Sequence, residues 1–136
     1  MNPMLSETML PPSPFYGQDQ SVNIKAFAEA LNLDQATVVA ASGLSRQLVS
    51  QQFNTKKKFI KLRSVKARTF WTKLNQIYQL LLALTDKRNA DKEIRTWFTA
   101  PNRALAMERP IDLVRRGELD KIITKLMDIL TAAHGG

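Results

Sequence analysis

Apolar positions recur along this chain at helical spacing, and no stretch alternates as a strand would. Ile24, Phe27, Ala28 and Leu31 fall at i, i+3, i+4 and i+7 and predict a helix over 23–31. Asp34 is placed to cap a second helix over 35–41, and Ser45 a third over 46–53, with Ser42-Gly43-Leu44 as the turn between them. A longer helix is expected from about Thr69 to Thr85. Its Phe70, Leu74, Ile77, Tyr78 and Leu81 form one stripe, and Leu80, Leu82 and Leu84 widen it, so it should be contacted from several sides. Asn89 is placed to cap a helix over 90–98 with Ile94, Trp97 and Phe98 inward. Pro101 ends that helix, Pro110 opens one over 110–116, and Gly117 stops it. The last helix, over 118–133, puts Leu119, Ile122, Ile123, Leu126, Ile129 and Leu130 on one face. The fold class read from this pattern is all-α. Residues 1–20 hold four of the six prolines and read as an extended, flexible tail.

Charge changes the picture at one place. The chain of 136 residues has a net charge of +8, yet residues 1–54 carry −2 and residues 69–136 only +3. The remaining +7 sits in residues 55–68, which hold seven cations and no acid. Such a block is an electrostatic footprint for nucleic acid, or a solvated loop that aids solubility.

The other classes of chemistry find little support. Cysteine is absent, which rules out a disulfide framework and thiol catalysis in this chain and suits a cytoplasmic protein. No run of 18 apolar residues exists, and no signal core precedes Lys25, so neither a membrane nor a secretory route is expected. The single histidine, His134, lies at the end of the chain. The acidic pairs Asp91/Glu93 and Glu118/Asp120 are spaced i, i+2 and splay apart on a helix. No enzyme activity, cofactor or metal is implied.

The segment QATVVAASGLSRQLVSQQ, 35–52, resembles the helix-turn-helix of Xre-type repressors. Val38, Gly43, Leu44 and Val49 match its apolar positions and its turn glycine. Val39 departs from the usual small residue, and Gln52 from an apolar one. In such a motif the outward face of the second helix enters the major groove of double-stranded DNA. Here that face carries Ser45, Arg46, Gln47, Ser50 and Gln51, with Lys56, Lys57, Lys58, Lys61 and Arg63 placed for phosphates. The alternative is a helical hairpin that packs a core and touches no DNA.

The C-terminal part resembles the toxin-binding domain of the Xre/MbcA/ParS antitoxins. The matching residues are Trp97, Phe98, Pro101, Asn102, Ala104, Leu105, Pro110, Ile111, Asp112, Leu113 and Gly117, continued by Leu126 and Ile129. The resemblance covers about Phe70 to Leu130. Ala106-Met107 stands where the family usually has glycine, and TAAHGG delays the family's closing glycine. The resemblance implies residues 21–68 as a helix-turn-helix unit with its basic segment and residues 69–136 as a toxin-binding and dimerisation unit. It implies an antitoxin that neutralises a cognate toxin, often a RES-domain enzyme that consumes NAD or ADP-ribosylates a target, and that represses its own operon as a homodimer. Asn102, Arg103, Arg109, Arg115 and Arg116 are the candidate toxin contacts. Trp97, Leu105, Ile111 and Leu113 read as core. A stand-alone regulator and a pure interaction module remain alternatives.

Overall fold

The computed structural model describes residues 13–17, 21–54 and 59–135. In it each of the first four helices starts just after a short polar side chain that closes its first turn. Asn23 Oδ1 accepts from the Ala26 amide at 3.0 Å and opens α1, Ile24–Ala30. Asp34 Oδ1 accepts from Thr37 at 3.0 Å and opens α2, Gln35–Ser42. Ser45 Oγ accepts from Leu48 at 3.1 Å and opens α3, Arg46–Asn54. Ser64 Oγ accepts from Ala67 at 3.0 Å and opens α4, Val65–Leu84. Each cap satisfies one amide that would otherwise lack an intrahelical partner. Asn89 is different. It precedes α5, Ala90–Thr99, without a side-chain cap bond, and the helix instead has Asp91 and Glu93 in its first turn, where the helix dipole favours them. A 3-10 turn, Arg103–Leu105, leads to α6, Pro110–Arg115, and then α7, Leu119–Gly135.

The chain is mostly helical, as the periodicity predicts, with three corrections. The first is that α4 begins at Val65, four residues before the expected Thr69, because Ser64 caps it and Ala67 is fully buried. The second is a small antiparallel pair, β1 (Ser21–Val22) with β2 (Ile60–Lys61), in register Ser21 to Lys61 and Val22 to Ile60. Two-residue strands are too short to leave an alternating pattern. The third concerns residues 13–17, which belong to the folded body rather than to a tail. The Phe15 ring stacks on Phe27 at 4.4 Å and meets Tyr78 edge-on at 4.8 Å. The Phe15 carbonyl accepts from the Asn23 amide at 2.8 Å, and Gly17 N–H donates to Ser21 O at 2.9 Å. Residues 1–12 and 18–20 lie outside the described residues.

α4 is the spine. Ala67, Phe70, Trp71, Leu74, Ile77, Tyr78, Leu80 and Leu81 are all buried along it. α7 runs against α4 in the largest helix–helix packing, through Leu119, Ile122 and Leu126. Phe27 reaches Trp71 from α1, with ring centres 5.1 Å apart. α2 touches α3, α4 and α6. The expected division at 68/69 falls within α4, and the buried side chains on both sides of it form one cluster. Leu105, Ile111 and Leu113 join that cluster as expected, whereas Trp97 is half-buried. Ile129, expected on the buried face of α7, is exposed together with Met127. Among the described residues, no helix is long and apolar enough to cross a membrane.

Candidate nucleic-acid interface and partner-binding loop

α3 turns two unlike faces to its surroundings. Val49 and Gln52 are buried against the body, so the departure at Gln52 leaves a polar residue inside. Ser45, Arg46, Gln47 and Gln51 are exposed, and Ser50 is half-buried. Ser45 is partly occupied as the cap. Asn54 Nδ2 donates to Ser50 O at 2.9 Å and Ser50 Oγ at 3.3 Å, which ties down the end of the helix. Arg46, Gln47 and Gln51 are therefore the residues of this face with the most freedom to meet a ligand.

The turn before α3 is set by Gly43, whose φ of +80° suits a residue without Cβ. Ser42 is buried, and its Oγ accepts from Leu44 N at 3.1 Å. Beyond α3, Lys61 in β2 and Arg63 after it are exposed. β1 holds β2 in place, so the exit of the basic segment is anchored beside the entry to α1. Lys56, Lys57 and Lys58 lie outside the described residues. From Gln35 to Thr85 the chain has nine cations and no acid, so no carboxylate within this stretch opposes an approaching polyanion.

The second region is the loop between α5 and α6. Asn102 is a structural hinge: its Oδ1 accepts from Ala104 N at 2.9 Å, its N–H donates to Glu108 O at 3.0 Å, and its carbonyl accepts from Met107 N at 2.8 Å. This tight closure drives Ala106 and Met107 into the left-handed region, with φ of +57° and +66°. Left-handed geometry costs an L-residue about 1 kcal/mol. Replacing Ala106 with glycine should therefore stabilise the fold by roughly 0.5–1 kcal/mol, read as a higher midpoint in urea; a lower midpoint would refute that account of the loop.

The candidate arginines of this region are mostly engaged within the chain. Arg109 pairs bidentately with Asp112 at 2.9 and 3.0 Å. Arg116 reaches Glu108 at 2.8 Å and Glu118 at 2.6 Å. Arg115 crosses from α6 to α2. It donates to the buried Thr37 Oγ1 at 3.2 and 2.9 Å, and lies 3.8 Å from Asp34 and 3.7 Å from Asp112. Arg103 is exposed and makes no ion pair among the described residues. The acids respond to these partners. Hydrogen bonds from Thr37, then the Arg115 charge, hold the Asp34 carboxyl below the usual range. The Arg109 hydrogen bond does the same for Asp112, and Lys121 followed by Arg116 for Glu118. Met107 is exposed at the loop, and a groove of about 520 Å³ is lined by Leu105, Ala106, Glu108, Leu113, Lys121 and Lys125 among others.

No protein-family model matches the chain, and neither a curated protein nor a solved structure does. The geometry is therefore what bears on function.

Two residues of these regions carry no signal in the sequence. Thr37 reads as an ordinary helix position, yet it receives Arg115 from 78 residues away. Lys66 belongs to the cation block but is not assigned by the helix-turn-helix resemblance; its position depends on α4 starting at Val65. Among the described residues, no group of three or more His, Cys, Asp or Glu side chains is placed to hold a metal.

Proposed function

We propose that this chain is a non-enzymatic antitoxin that binds and neutralises a cognate toxin and represses its own operon through a helix-turn-helix formed by α2 and α3. The observation that carries the reading is the exposed Arg46, Gln47 and Gln51 face of α3, held out by buried Val49 and set in an acid-free stretch of nine cations. Arginine and glutamine are suited to guanine and adenine edges, and the lysines to phosphates.

The toxin half of the reading rests on the resemblance to the Xre/MbcA/ParS antitoxins. It gains support from the left-handed Ala106 and Met107, because the family's usual glycine there takes such a conformation without strain. The toxin class that the resemblance implies is a RES-domain enzyme acting on NAD. Its contact surface would be the loop over 101–109 and the adjoining groove, with Arg103 as the cation open to a partner. Exposed Met127 and Ile129 on α7 supply apolar area for a homodimer.

The experiment is co-expression with the protein encoded beside it, read by size-exclusion chromatography and growth. A stable complex that rescues growth supports the proposal, and a neighbour that is neither toxic nor bound overturns it. A stand-alone transcriptional regulator is the second reading. The intrachain commitment of Arg109, Arg115 and Arg116 favours it, since a toxin would have to compete with those pairs.

A further inference from the structure

The first turn of α4 is built against its own electrostatics. The start of a helix favours acidic side chains and disfavours cations. α4 has no acid there and carries Lys66 and Arg68. Arg68 has a structural explanation, because its Nη1 donates to the carbonyls of Leu62 at 3.4 Å and Arg63 at 2.8 Å and closes the link from β2. Lys66 has none of this kind. It is exposed and forms no ion pair among the described residues.

The Lys66 stem is nonetheless placed. A Cβ built on Gly43 would lie 2.8 Å from Lys66 Cδ, 3.2 Å from Cγ and 3.3 Å from Cε. The methylenes therefore rest on the bare backbone of Gly43, as long cationic side chains do when they cover a surface and keep the charge in water. Gly43 stands two residues before Ser45, the cap of α3. The seat holds Cε of Lys66 beside Gly43, so the ammonium, one bond further, lies near the turn that leads into α3.

We propose that Lys66 is a phosphate-contacting residue of the α3 interface, positioned by its seat on Gly43. The phosphate is that of a double-stranded DNA backbone passing the N-terminus of α3, so the assignment rests on the reading that α3 meets DNA. It gives Gly43 a second task besides its left-handed φ, namely clearance for the lysine stem. It also extends the interface beyond the lysines between α3 and β2 to the first turn of α4.

The test uses the full chain and two duplexes, one of mixed sequence and one from upstream of the chain's own gene. Affinity is measured between 50 and 300 mM KCl. Lys66→Met keeps the stem and removes the charge. Loss of one phosphate contact should reduce the slope of log affinity against log salt by about 0.9 and weaken binding about fivefold near 0.15 M, equally on both duplexes. Lys66→Arg should retain the wild-type slope and melting temperature, and Lys66→Met should melt no lower than the parent, since it takes a cation away from a helix start. Lys66→Gln against Lys66→Arg reads the same charge difference if the methionine variant unfolds. An unchanged slope in Lys66→Met, with steep salt dependence in the parent, overturns the assignment and leaves the DNA reading standing. A parent that binds neither duplex overturns both.

Discussion

Replacing Phe15 with alanine is expected to lower stability by about 3 kcal/mol, at the low end of what truncating a buried phenylalanine costs. For a chain of this size that corresponds to a melting temperature lower by roughly 10 °C. The cause is the stack on Phe27, which itself touches Trp71, so the lost ring leaves a void next to the centre of the core. Phe15→Leu, which keeps most of the apolar volume, should cost only about 1 kcal/mol. Urea unfolding of the two variants decides the matter. If Phe15→Ala unfolds within about 0.5 kcal/mol of the parent, as a substitution on a solvated tail would, residues 13–17 do not belong to the folded body.

Phe15 also shows where sequence reasoning stops. Pro11, Pro12 and Pro14 argue correctly against a helix around it. They say nothing about whether an extended segment is packed, because the ring's partners lie 12 and 63 residues further along the chain. The helices were legible for the opposite reason. Asp34 and Ser45 close hydrogen bonds three residues away, and the apolar spacing of Ile24, Phe27 and Ala28 is local as well. The start of α4 was missed because Lys66 and Arg68 contradict the charge preference of a first helical turn, and a cation block reads as loop. The exposed face of α3 was legible in residue types, since Val49 marks the opposite side. Which arginines of the C-terminal region are open was not: the pairs made by Arg115 and Arg116 depend on how α2, the loop and α6 come together.

The largest functional effect is expected from the basic segment. Changing Lys56, Lys57, Lys58, Lys61 and Arg63 together to glutamine removes five cations while leaving the outward face of α3 intact. If each neutralises one phosphate, the slope of log affinity against log salt should fall by about 4 to 5, and binding near 0.15 M salt should weaken by about 10³- to 10⁴-fold on any duplex. Gln47→Ala makes the contrast. It removes no charge, so the slope should hold and mixed-sequence binding should be unchanged, while operator affinity falls by about 1–3 kcal/mol if Gln47 reads an adenine. The two variants separate the two ways a protein can meet DNA. A uniform loss with an altered slope identifies phosphate contacts, and a loss confined to the operator identifies base contact. The five-glutamine variant is expected to stay folded, because Lys61 and Arg63 are exposed and β2 is held to β1 by backbone pairing. Its circular dichroism and urea midpoint check this before any binding is measured. Undiminished affinity in the folded variant would mean that these five cations serve solubility alone, and would remove most of the electrostatic case for a DNA-binding protein.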